Sequence, residues 1–95
     1  MNTLTAILVE DNSLALEMLE SDISMYHKEI EIIGTAKSVV EAAKLLRAKT
    51  PDILFLDIML GDGTGFDILE IFNPYSFVMF DGSTELELTF DSSTL

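Results

Sequence analysis

An α/β fold built on a parallel sheet is predicted for this chain, and three observations predict it. Short apolar runs alternate with segments whose apolar residues fall at helical spacing, in the order βαβαβα, which is the pattern of a parallel sheet joined by right-handed crossovers. The run Ile53-Leu54-Phe55-Leu56 is apolar at every position, as suits a strand buried on both faces. The chain has 95 residues and is 48% hydrophobic, enough for one small domain with a core of its own.

Each element has its own local reason. Thr5-Ala6-Ile7-Leu8-Val9 is apolar and β-branched, reads as a strand, and ends at the turn and helix-start cluster Glu10-Asp11-Asn12-Ser13. Leu16, Leu19, Ile23 and Tyr26 then form one apolar helical stripe. Ile30–Thr35 is a second strand, with Gly34 near its end. Ser38-Val39-Val40-Glu41 is a capping-box pattern opening a helix whose buried face is Val39, Ala42, Ala43 and Leu46, and Thr50-Pro51 stops it. Asp57 closes the third strand, Gly61–Gly65 is a glycine-rich loop, and Phe66, Leu69 and Phe72 mark a third helix stopped by Asn73-Pro74. Beyond it, Ser76–Phe80 and Leu86–Phe90 flank Asp81-Gly82-Ser83-Thr84-Glu85, and Asp-Gly between two strand-like runs is a hairpin signal. The expected organisation is a βαβαβα core over residues 1–72 and, over residues 73–95, a β-hairpin open to joining the sheet edge, with a short tail.

Charge narrows the functions available. The net charge is −12, all five basic residues lie between Lys28 and Lys49, and from Thr50 onward there are nine acids and no base. Such a surface repels nucleic-acid backbones and anionic lipid, so no direct nucleic-acid partner and no membrane association are expected. There is no Cys, which removes thiolate metal sites and Cys nucleophiles. No apolar run approaches the length of a membrane span, and the N-terminal stretch lacks the basic region of a signal peptide, so a cytoplasmic location is the expectation.

In an open parallel sheet, ligands sit beyond the carboxyl ends of the strands. Two strand ends here carry carboxylates: Glu10 and Asp11 after the first, Asp57 after the third. Taken singly, each reads equally well as a turn former. If the first and third strands are neighbours, three carboxylates converge on one pocket, where they repel one another unless a cation is present. An oxygen-only set of that kind points to Mg2+.

Residues 6–12 (Ala-Ile-Leu-Val-Glu-Asp-Asn), 51–60 (Pro-Asp-Ile-Leu-Phe-Leu-Asp-Ile-Met-Leu) and 62–69 (Asp-Gly-Thr-Gly-Phe-Asp-Ile-Leu) resemble the receiver domain of two-component response regulators, in a style most like receivers that precede LytTR-type DNA-binding domains. The resemblance spans roughly three quarters of the chain, with spacing intact. It implies a flavodoxin-like three-layer sandwich with strand order 2-1-3-4-5. It further implies a non-enzymatic signalling protein in which Asp57 accepts a phosphoryl group from a histidine kinase. Asp11 with Glu10 behind it, Asp57 and the backbone carbonyl of Met59 would then hold Mg2+.

Two departures stand out. A full receiver has five βα units, whereas this chain has room for about three and the hairpin, so it reads as truncated or divergent after residue 72. The family's Lys at the end of its last strand has no counterpart, since no Lys follows Asp57; Ser83 or Thr84 is the candidate for the family's switch hydroxyl if residues 77–80 form the fourth strand. A half-built sheet exposes an apolar edge, and edges recruit strands, so a homodimer through that edge is expected. The alternative function is a receiver relic, not phosphorylated, that serves as an interaction or dimerisation module. Other signals are weaker. His27, the one histidine, reads as a residue at a helix C-terminus. Asp62-Gly63-Thr64 resembles the aspartate loop of haloacid-dehalogenase-type phosphatases, but Met59 stands where their second Asp is required.

Overall fold

The computed structural model describes residues 3–72 and 76–80. In chain order the elements are Leu4–Val9 (β1), Ser13–Tyr26 (α1), Ile30–Ala36 (β2), Val39–Ala48 (α2), Ile53–Asp57 (β3), Met59–Leu60 (β4), Gly63–Thr64 (β5), Gly65–Ile71 (α3) and Ser76–Phe80 (β6). Four strands form one sheet in the order β2-β1-β3-β6, and every pairing in it is parallel.

Alternation along the inner strands builds two cores. Ala6 and Leu8 of β1, with Ile53 and Phe55 of β3, face Leu16, Leu19 and Ile23 of α1. Their neighbours Ile7, Val9, Leu54 and Leu56 face the other way, toward Ala42 and Leu46 of α2 and Ile68 of α3. The result is the three-layer α/β sandwich expected, with α1 on one side of the sheet and α2 and α3 on the other. Because β3 is apolar on both faces, all five of its residues are buried.

Helix starts follow their side chains. Asn12 Oδ1 accepts from the Ala15 N–H at 2.9 Å, and Ser38 Oγ from the Glu41 N–H at 3.0 Å. Thr64 and Asp67 form a reciprocal capping box at α3. At the opposite edge of the sheet, the Asp52 carboxylate accepts from the Thr5 N–H at 2.8 Å and from the Thr5 hydroxyl at 3.1 Å, while the Asp52 N–H donates to the Thr5 carbonyl at 2.9 Å. This clasp ties the start of β1 to the start of β3. Asp52→Ala is expected to cost about 1–2 kcal/mol in urea unfolding, since it leaves a partly buried N–H and hydroxyl without their acceptor.

Three details differ from the sequence expectations. First, Ser76–Phe80 enters the sheet as a fourth parallel strand, from Ile53↔Ser76 to Asp57↔Phe80, and so continues the βα alternation. The local Asp81-Gly82 signal said nothing about this long-range pairing with β3. The second expected arm, Leu86–Phe90, the turn between, and Ser83 and Thr84 lie outside the described residues. Second, Ile68 is the fully buried centre of α3, with Leu69 and Phe72 half-buried beside it, whereas Phe66 is 58% exposed. Entry of the helix at Gly65, close against β3, turns Phe66 outward. Tyr26 likewise lies exposed at the end of α1. Third, the glycine-rich loop is a tight antiparallel hairpin, Met59↔Thr64 and Leu60↔Gly63, around Gly61 and Asp62.

Candidate functional site

β1 and β3 are neighbours, paired from Ala6↔Ile53 to Val9↔Leu56. The chain leaves β1 toward β2 on one side and leaves β3 toward β6 on the other, so the carboxyl ends of β1 and β3 bracket the point where the strand order reverses. Glu10 and Asp57 stand there, one residue beyond that last pair.

Glu10 is 1% exposed and Asp57 3% exposed, and they are the buried charged side chains among the described residues; Asp11 beside them is exposed. One carboxylate oxygen from each of the three lies within 4.8 Å of the others. Backbone contacts hold the cluster in place. The Glu10 N–H donates to the Ala36 carbonyl at 3.0 Å, Glu10 Oε2 accepts from the Asn12 N–H at 3.2 Å, and Asp57 Oδ1 accepts from the Met59 N–H at 3.3 Å. Burial, and then the neighbouring Asp57 carboxyl, push the Glu10 carboxyl up to about 8. Its other oxygen, Oε1, is buried with no hydrogen-bond partner among the described residues. A buried carboxylate oxygen without a donor is costly unless a proton or a cation occupies it. The donor set is oxygen only, so the residues fit a hard divalent cation such as Mg2+.

Neighbouring loops are packed onto this edge. Gly65 lies so near the end of β3 that a Cβ there would stand 2.6 Å from the Asp57 carbonyl oxygen, and its N–H donates to the Ile58 carbonyl at 3.0 Å. Asp62, at the tip of the hairpin, accepts from the Val39 and Val40 N–H groups at 2.8 and 3.1 Å. It thereby caps α2 from across the fold, and those backbone donors lower its carboxyl below the ordinary range.

The structure therefore brings together three of the residues singled out in the sequence, Glu10, Asp11 and Asp57. It places the Met59 N–H on Asp57 and leaves the Met59 side chain 66% exposed. His27 caps the end of α1, with Nδ1 3.7 Å from the Glu29 carboxylate. Sequence reasoning missed the structural parts of Asp62 and Gly65. Asp62 bonds backbone more than twenty residues away. For Gly65 the one available signal was the density of glycines after Asp57.

Comparison with known proteins agrees with this geometry. The response regulator receiver domain family matches residues 6–78, and the chain belongs to that family. The sensory transduction protein LytT of Bacillus cereus is 43% identical over 68 residues, covering 72% of this chain and 27% of that protein. The chain thus spans about a quarter of the length of such curated relatives. Among solved structures, the non-phosphorylated HemR receiver domain of Leptospira biflexa superposes with a TM-score of 0.62 at 32% identity, over 73% of this chain and 53% of that one. A LuxR-family two-component response regulator from Aurantimonas sp. SI85-9A1 reaches a TM-score of 0.72 at 23% identity, over 83% and 59%, a likeness of fold. Among the described residues, no helix is long and apolar enough to cross a membrane.

Proposed function

We propose that this chain is a phospho-acceptor in two-component signalling, taking a phosphoryl group onto Asp57 from the phosphohistidine of a histidine kinase. The observation that carries this reading is the convergence of Glu10, Asp11 and Asp57 at the switch point of the sheet, with one buried Glu10 oxygen left without a partner. Asp57 is held by the Met59 N–H and by the end of β3, so one carboxylate oxygen is fixed while the carboxylate presents the other as nucleophile. That oxygen attacks phosphorus, the donor's P–N bond breaks, the imidazole leaves with the bonding pair, and an acyl phosphate remains on Asp57. Glu10, Asp11, Asp57 and the Met59 carbonyl would hold Mg2+, which offsets charge on the phosphoryl oxygens. Ser83 or Thr84, following β6, is the proposed switch hydroxyl. The protein acts in the cytoplasm as a phosphoprotein rather than an enzyme, and it needs neither nucleic acid nor membrane as a direct partner.

Intact mass after incubation with Mg2+ and acetyl phosphate tests the reading. One added phosphoryl group is expected in the wild type and none in Asp57→Asn. No addition to wild-type protein that circular dichroism shows to be folded would overturn it. One observation favours a second reading: among the described residues β6 stands last in the sheet order, and an edge strand can recruit another strand. In that reading the chain is a receiver relic that works as a protein–protein interaction module, a homodimer joined through the sheet edge at β6. Light scattering that finds a monomer at all concentrations would count against the dimer.

A further inference from the structure

Asp62 lies outside the acidic pocket, yet its contacts lead back to it on two sides. It stands at the tip of the hairpin in which Met59 pairs with Thr64 and Leu60 with Gly63. From there its carboxylate takes two donors at once, the Val39 N–H on Oδ1 at 2.8 Å and the Val40 N–H on Oδ2 at 3.1 Å. Ser38 Oγ takes the next donor of the same helix turn, the Glu41 N–H, at 3.0 Å. The amino end of α2 is thus capped by two side chains, one local and one from across the fold. The seat is also close-packed, since a Cβ on Gly63 would stand 3.0 Å from Val39 Cγ2.

Each side of this bridge continues to a pocket carboxylate. On the α2 side, Val39 comes three residues after Ala36, whose carbonyl accepts the Glu10 N–H at 3.0 Å. On the hairpin side, the Met59 N–H donates to Asp57 Oδ1 at 3.3 Å. Glu10 and Asp57 themselves follow the paired residues Val9 and Leu56 of β1 and β3. These contacts close a ring around the pocket, and Asp62 joins its two halves. The bond at Met59 is the long one, so Asp57 by itself holds the hairpin weakly. The two charge-assisted bonds of Asp62, shorter and placed at the positive end of α2, are what fasten it.

We propose that Asp62 is a positioning residue for Mg2+ in the acidic pocket: by fastening the hairpin to the first two N–H groups of α2, it sets where Met59 stands relative to Glu10, Asp11 and Asp57. The assignment rests on the Mg2+ reading of that pocket. Its physical content is pre-organisation. With the hairpin fastened, Met59 is in place before the cation arrives. With the hairpin loose, binding must also order it, and the entropy lost in doing so weakens affinity.

Calorimetric titration of Mg2+ into the full chain tests it, with wild type, Asp62→Ala, Asp62→Asn and Ser38→Ala compared. Asp62→Ala should bind Mg2+ about tenfold more weakly, and Asp62→Asn, which keeps one acceptor oxygen, about threefold more weakly. Ser38→Ala removes the local cap of the same helix and leaves the hairpin fastened. It should lower the urea midpoint and keep Mg2+ affinity near wild type. Hydrogen exchange at the Met59 amide should quicken in Asp62→Ala and not in Ser38→Ala. Equal Mg2+ affinity in wild type and the Asp62 variants would overturn the role of Asp62 and leave the pocket standing. An equal loss in Ser38→Ala would overturn it too, since helix capping alone would then account for the effect. Asp62→Asn decides the matter if circular dichroism shows Asp62→Ala to be unfolded. No Mg2+ binding by folded wild type would overturn the pocket reading together with this assignment.

Discussion

Gly65→Ala is expected to lower stability by about 3 kcal/mol and to cut acetyl phosphate labelling of Asp57 severalfold, whereas Gly61→Ala should leave both near wild type. The two glycines stand four residues apart in one loop, yet the space around them differs. A Cβ at position 61 meets nothing within 4 Å. One at position 65 meets the Asp57 carbonyl oxygen at 2.6 Å and the Met79 side chain at 3.2 Å. Met79 has a flexible end and can yield, but the carbonyl belongs to a buried strand paired on both sides. Relief must therefore come from lifting α3 off the sheet, which opens the Ile68 core, or from moving the end of β3, which displaces Asp57. Urea unfolding and intact-mass labelling of the two variants read both consequences. Equal stability of Gly61→Ala and Gly65→Ala would show that the close approach has no energetic weight.

The second large effect concerns pH. Glu10 has an ordinary carboxyl value of 4.5 and is raised to about 8 in the fold, first by burial and then by Asp57. The folded chain therefore holds a proton that the unfolded chain has released over that interval. Stability from this source is fully present below pH ~4.5 and is lost as pH rises through about 8. The metal-free protein should thus weaken from mildly acidic to mildly alkaline solution, by on the order of 2 kcal/mol once solvent screening at the pocket mouth is allowed for. Glu10→Gln should flatten that slope. Mg2+ takes the deprotonated ligands, so its stabilisation should grow over the same interval, reaching about 2.7 kcal/mol at a hundredfold excess over Kd. Thermal unfolding across pH, with and without Mg2+, checks all of this. A wild-type curve parallel to that of Glu10→Gln would sink it.

Much of this was legible in the residues because the signals were local. The apolar run at 53–56, the alternation of strand and helix, and the caps at Asn12 and Ser38 depend on near neighbours, and each appears in the fold. The acidic pocket was legible conditionally, since it needed β1 and β3 to be adjacent, a fact of topology that the parallel register supplies. What escaped detection was long-range. The strand at Ser76–Phe80 was legible but its parallel partner β3 was left open, and the bond from Asp62 to the amino end of α2 has no counterpart in spacing. On α3, Leu69 and Phe72 pack beside the core, whereas Phe66 of the same spacing turns outward. The close seating of the helix at Gly65 instead selects Ile68.

The clasp between Thr5 and Asp52 has a wider consequence. It fastens the central strand pair at the rim of the sheet remote from Glu10 and Asp57, where the carboxylates repel one another. The seam and the acidic pocket thus lie on opposite rims of the same two strands. A lineage carrying this arrangement is free to retune the acidic rim, trading a carboxylate there, without unpicking the seam that keeps the strands in register. That separation lets a receiver keep its shape while its chemistry drifts.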